Sequence, residues 1–129
     1  MQVSFDISGK VAVISGAAGV LGGSLARHFA SQGAKVVALV HKEEQVAACE
    51  QELNELGTEA LAIACNALET ASLEAVAQQV LDRWGKVDIL INFAGGNVAG
   101  GNVMPDQHFY DMKIEDWDKV LDLNLNGTV

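Results

Sequence analysis

Residues 10–23, KVAVISGAAGVLGG, decide the fold. A nearly continuous apolar run, 10–15, leads straight into the stretch 15–23, where four of nine residues are glycine. Glycine weakens helices and strands alike, so such a cluster needs a reason in backbone geometry. A run apolar on both faces suits a strand buried from both sides, and the glycines behind it suit a tight turn that presents backbone. The residues that follow, 21–31, read as a helix that Gly33 closes.

The same alternation continues outward. KVVALV (35–40), EALAIA (59–64) and VDILIN (87–92) are further short apolar runs. Between them, Val46, Cys49, Leu53 and Leu56 form one helical stripe, with Gly57 as its expected C-cap, and Leu73, Val76, Val80 and Trp84 form another, ended by Gly85. The order βαβαβαβ predicts right-handed crossovers and a parallel sheet with helices on both faces, a doubly wound α/β (Rossmann) fold with four strands present. The long irregular stretch 95–113 holds four glycines and the single Pro105 and follows a strand's carboxyl end, the edge at which such sheets bind ligands. After it, Trp117, Val120, Leu121 and Asn124 fall on one helical face.

Composition narrows the function classes. The chain has 129 residues, half of them hydrophobic, and a formal charge of −9, which opposes binding to nucleic acid or anionic lipid and favours small-molecule or protein partners. No apolar run approaches the roughly 20 residues of a bilayer span, and residues 1–10 lack the basic start and apolar core of a signal peptide, so a cytoplasmic location is expected. Cys49 and Cys65 sit in no CxxC spacing and are expected to be inert core thiols. His28, His41 and His108 lie in separate elements without ligand spacing, so no metal site is expected.

A strand, a glycine-rich turn and a helix at this spacing form a site for a pyrophosphate: glycine lets the backbone approach the phosphates, and the helix N-terminus offers free N–H groups and partial positive charge. The stretch Ser15-Gly16-Ala17-Ala18-Gly19-Val20-Leu21-Gly22 resembles the Thr-Gly-x-x-x-Gly-x-Gly fingerprint of the short-chain dehydrogenase/reductase family. Ser15 replaces the threonine and Val20 stands where the middle glycine usually lies. Read as Gly16-x-x-Gly19-x-x-Gly22, the same residues also match longer, epimerase-like members that use bound NAD. Asn92-Phe93-Ala94-Gly95 resembles the Asn-x-Ala-Gly motif of the shorter-subunit branch, and Trp117, Asp122 and Asn124 resemble that branch's next helix. The resemblance covers the whole chain. Within the family, GVLG and INFAGGN look most like sugar-acid oxidoreductases of the D-mannonate oxidoreductase (fructuronate reductase) type, with gluconate 5-dehydrogenases next.

The resemblance implies an NAD(P)-dependent oxidoreductase acting on a secondary alcohol or ketone. Gly16, Gly19, Leu21 and Gly22 would line the pyrophosphate, Asn66 the adenine, and Asn92, Ala94 and Gly95 the ribose and nicotinamide side. Asn124 would be the catalytic asparagine, whose backbone holds a water in the proton relay. At the end of the second strand stand Val40-His41-Lys42, with no carboxylate to hold ribose hydroxyls. Lys42 and a protonated His41 suit a 2′-phosphate, which favours NADP, with NAD as the alternative. Asn66-Ala67 departs from the family's usual Asp-Val beside the adenine.

The family's catalytic Tyr-x-x-x-Lys and serine are not found here. The only tyrosine, Tyr110, is followed four residues later by Ile114 and reads as a loop residue. Residues 1–129 are therefore expected to be the N-terminal part of a single dinucleotide-binding domain, cut before the catalytic pair. The strand 87–92 would then be an exposed edge unless another strand or chain covers it. The competing reading is a catalytically inactive nucleotide-binding module completed by a partner chain. A homo-oligomer, by family a tetramer, is implied.

Overall fold

The computed structural model describes residues 5–129. The signal-peptide reading concerns in part residues 1–4, which lie outside the described residues. The chain divides into two compact units, one ending at Phe93 and a second over Ala94–Val129, each described by itself.

The first unit holds β1 (Val11–Ser15), α1 (Val20–Ser31), β2 (Lys35–Val40), α2 (Val46–Asn54), β3 (Ala60–Ala64), α3 (Thr70–Trp84) and β4 (Ile89–Asn92). All four strands are parallel, in the order β3-β2-β1-β4. This is the doubly wound arrangement, with its reversal of strand order between β1 and β4. β1 is buried along its whole length, which explains why its sequence shows no alternation. One face of the sheet packs Ile14, Val36, Ala38 and Val40 against Ala26 and Ala30 of α1 and Leu53 of α2. The other packs Val11, Val13, Val37 and Leu39 against Val76 and Val80 of α3.

Small residues set how closely α1 approaches the sheet: its buried positions are Gly22, Gly23, Ala26 and Ala30. Gly33 and Gly85 end α1 and α3 at φ +81° and +71°, a left-handed conformation that favours glycine. Gly57 does not end α2 directly. The helix stops at Asn54, whose side chain bonds both the Glu50 carbonyl of the helix and Ala60 of the next strand, and Leu56 is exposed rather than part of the stripe. Cys65 is buried and Cys49 half-buried, and burial pushes the Cys49 thiol pKa up, which suits an unreactive thiol.

The two edges of the sheet differ. Along β3, Asn54 Oδ1 accepts the Ala60 N–H at 3.0 Å, Asn54 Nδ2 donates to the Ala60 carbonyl at 3.2 Å, and Glu50 Oε2 accepts the Ala62 N–H at 2.9 Å. α2 thus occupies hydrogen-bonding groups that a neighbouring strand would otherwise take. β4, among the described residues, pairs only with β1, and Leu90 on it is 63% exposed. Its start is pinned to β1: the Val11 N–H donates to Asp88 Oδ2 at 2.8 Å, the Asp88 N–H donates to the Val11 carbonyl at 2.9 Å, and Lys86 Nζ sits 2.8 Å from the same carboxylate.

The second unit contains the loop after β4, with two short 3-10 turns (Ala99–Gly101 and Phe109–Asp111), and α4 (Ile114–Leu121), which runs into a π-helical segment, Asp122–Asn126. Tyr110 lies in the second turn, stacked on His108 with ring centroids 5.0 Å apart. Among the described residues no helix is long and apolar enough to cross a membrane, and no group of three or more His, Cys, Asp or Glu is arranged for a metal ion.

Candidate dinucleotide site

The carboxyl ends of the four strands bring eight of the expected residues to one edge of the first unit: Gly16, Gly19, Leu21 and Gly22 after β1, His41 and Lys42 after β2, Asn66 beyond β3, and Asn92 closing β4. The turn after β1 is built by backbone. Gly16 takes φ +66°, the Gly19 N–H donates to the Gly16 carbonyl at 3.0 Å, and the Ala17 N–H donates to the Leu39 carbonyl of β2 at 3.1 Å. A Cβ at Gly22 would run into the Gly16 carbonyl, so the helix crosses its own entry turn at a separation only glycine permits. Gly19 is the N-cap with no side chain to cap the helix, and the first turn carries no acidic residue. The first-turn N–H groups of α1 and the positive end of its dipole are thus left to an external acceptor.

Val20, which replaces a glycine of the fingerprint, is 88% exposed with ordinary φ, so this position needs neither the freedom nor the small size of glycine. The helix accordingly starts at Val20, one residue before the expected Leu21. Ser15 and Asn92 are register partners across the β1–β4 pair, and the Ser15 hydroxyl accepts the Phe93 N–H at 3.1 Å. The serine therefore fixes the exit of β4 at the point where strand order reverses, a role its identity as a threonine substitute only hinted at.

His41 and Lys42 are exposed beside the glycine turn's neighbouring strand, and the Lys42 N–H donates to Gln45 Oε1 at 3.3 Å. Asn66 is half-buried and partly spent on its own turn: its Oδ1 accepts the Leu68 N–H at 3.1 Å and its Nδ2 donates to Glu69 Oε1 at 2.9 Å. One amide hydrogen and one lone pair remain for a ligand.

Ala94, Gly95 and Asn124 belong to the second unit. Asn124 is exposed and lies in the π-helical segment, not on the apolar face of a regular helix as its spacing suggested. Its Oδ1 accepts the Gly96 N–H at 3.0 Å, and its Nδ2 donates to the carbonyls of Gly96 at 2.7 Å and Val120 at 2.8 Å. The Gly127 N–H reaches five residues back, to Asp122, at 2.8 Å. The amide competes with the backbone for the Val120 carbonyl, a local cause for the widened turn. A Cβ at Gly95 would come within 2.7 Å of Asn124 Oδ1, so this glycine makes room for the amide. An open cavity of about 370 Å³ is lined by Gly96, Asn97, Met112, Trp117, Val120 and Asn124.

Parallel strands in this order, with a glycine turn and an uncapped helix N-terminus at the reversal point, define a Rossmann-like α/β protein. The chain belongs to the short chain dehydrogenase family, which it matches over residues 10–129. It is 34% identical to the D-threitol dehydrogenase of Mycolicibacterium smegmatis, an alignment covering 99% of this chain and 47% of that protein. A crystal structure from Haemophilus influenza, assigned as a D-mannonate oxidoreductase with bound NAD, superposes with a TM-score of 0.84 at 30% identity, covering 95% of this chain and 47% of that one. A metagenomic short-chain oxidoreductase in complex with NADP does so with a TM-score of 0.79 at 33% identity, covering 95% and 53%. The chain spans about half the length of the curated relatives it matches.

Proposed function

We propose that these residues form the N-terminal, dinucleotide-binding part of a single Rossmann domain in a longer NAD(P)-dependent oxidoreductase that interconverts a secondary alcohol and a ketone. The observation that carries this reading is the contact of Gly22 with the Gly16 carbonyl, which holds the uncapped N-terminus of α1 against the glycine turn where a pyrophosphate would bind. The nicotinamide supplies the hydride acceptor or donor when the cofactor is bound. Gly16 and Gly19 shape the turn that lies along the phosphates, and Leu21 and Gly22 present first-turn backbone N–H groups to them. Lys42 and His41 pair with a 2′-phosphate, favouring NADP, while Asn66 offers its remaining amide hydrogen to the adenine. NAD is the alternative, since relatives bind either form.

Asn92, Ala94 and Gly95 border the ribose and nicotinamide, and Asn124, by fixing Gly96, organises a proton relay whose tyrosine and lysine lie outside residues 1–129. The substrate is a small polyhydroxylated molecule, either a sugar acid such as D-mannonate or fructuronate, or a sugar alcohol. A cytoplasmic homo-oligomer without nucleic-acid or membrane partners completes the proposal.

The test is titration of the full gene product with NADPH and NADH by fluorescence, followed by carbonyl reduction across keto sugars and keto acids. Tight NADPH binding with turnover is expected. Binding without turnover in a chain that carries the tyrosine and lysine would point instead to an inactive nucleotide-binding module, and no binding at all would defeat the reading.

A further inference from the structure

We infer that the loop after β4 builds a subsite for the hydroxyl groups of an uncharged polyol chain and disfavours a substrate that carries a carboxylate. The inference rests on the oxidoreductase reading above and chooses between its two substrate classes. A second cavity of the loop, about 270 Å³, is lined in part by Asn102, Gln107, His108, Asp111, Lys113 and Asp116. Its polar groups are those that recognise hydroxyls: carboxylates that accept, amides that accept and donate, and an imidazole that does either.

Part of that capacity holds the loop in shape. Asn97 Nδ2 donates to Asn102 Oδ1 at 2.8 Å, the Met104 N–H to Gln107 Oε1 at 3.2 Å, and the His108 N–H to Asp111 Oδ2 at 2.9 Å. The amide hydrogens of Gln107 and the second oxygen of Asp111 make no hydrogen bond among the described residues and stand ready for a ligand. The wall behind them is close-packed. The Asp116 carboxylate lies against Gly100, where no Cβ would fit, and Asn97 and Val120 close on Gly101 in the same way.

Charge separates the two substrate classes. The cavity's lining carries two carboxylates, Asp111 and Asp116, against one ammonium, Lys113. Lys119, the only other cation of residues 94–129, is 3.0 Å from Asp116, and six carboxylates stand in this segment against its two lysines. A substrate carboxylate therefore meets net repulsion, whereas hydroxyls meet acceptors and donors they can satisfy. Met112 lines both this cavity and the one containing Asn124, so an extended chain whose reacting carbon lies toward Asn124 would run its remaining hydroxyls past Met112 to Asp111 and Gln107.

The experiment uses the full gene product and two readouts. Steady-state kcat/KM is compared for four- to six-carbon alditols and the matching aldonates, and contact with xylitol and gluconate is followed by saturation-transfer NMR without added cofactor. The expected result is at least a tenfold preference for alditols that shrinks as salt is raised. Asp111→Asn, which keeps an acceptor for the His108 N–H, should narrow the preference by about threefold, the effect of one unit charge at about 6 Å in water-like surroundings. Equal or better use of aldonates, or no saturation transfer to xylitol, overturns the inference even in an active NAD(P)-linked enzyme. Saturation transfer to xylitol but not gluconate, in a protein that binds no dinucleotide, would sink the oxidoreductase reading and leave the polyol subsite standing.

Discussion

Asn124 holds Gly96 at both of its backbone polar groups, accepting the N–H at 3.0 Å and donating to the carbonyl at 2.7 Å. The same amide donates to Val120 at 2.8 Å, so one side chain joins the loop to the widened turn after α4. Asn124→Asp keeps the acceptor but loses both donors and sets a carboxylate against two carbonyls. At roughly 0.5–1.5 kcal/mol per hydrogen bond, the second unit should lose about 1–3 kcal/mol locally. Amide hydrogen exchange across residues 94–129 measures this, and protection equal to wild type throughout would show that the two bonds to carbonyls are not made in solution.

Gly22→Ala places a methyl against the Gly16 carbonyl, which is backbone and cannot swing aside. A cost of about 1–3 kcal/mol is expected in thermal or urea denaturation, together with a loss of dinucleotide affinity larger than the stability change explains. Val20→Gly should do neither, since that side chain points to solvent. Equal effects at the two positions would mean that the turn is not close-packed.

Lys42→Ala tests cofactor choice. NADPH affinity should fall by about three- to tenfold while NADH affinity stays within twofold, because one charge-assisted contact to a 2′-phosphate is removed. A parallel fall for both forms would assign Lys42 to the turn rather than to the phosphate.

Acid stability should depend on Asp88. The Lys86 ammonium, then the Val11 N–H, hold its carboxyl pKa below the ordinary aspartate value. A folded pKa below the unfolded one means that this stabilisation is complete above about pH 4 and is lost as pH falls through the folded value. Glu59, lowered chiefly by the Trp84 indole N–H and next by Lys35, acts in the same direction. Asp88→Asn should flatten the dependence of Tm on pH below about 4, and an unchanged slope would remove Asp88 from the account.

Much of the first unit was legible because its signals are local. The apolar runs 35–40 and 59–64 became β2 and β3 with at most one residue's difference, since strands buried on both faces leave little choice of boundary. Gly33 and Gly85 read correctly because each needs positive φ. The end of α2 was misplaced because Asn54 bonds across to Ala60, a contact that no periodicity encodes. Asn124 was singled out by the resemblance of Trp117, Asp122 and Asn124 to a family helix, but its π-helical setting depends on a contest between side chain and backbone at Val120. Gly100 and Gly101 read as loop glycines, whereas their true constraint is the close approach of Asp116 and Val120 from α4.

The guarding of β3 by α2 also has an order in time. Glu50 and Asn54 leave the ribosome before Ala60 and Ala62, so the partners of the β3 edge are already synthesised when that edge arrives. β4 emerges last of the four strands, and among the described residues no strand pairs with its outer side. Once β3 is in place the nascent sheet stays open only beside β1, and the strand that arrives next has a single berth, which guards against misassembly during translation.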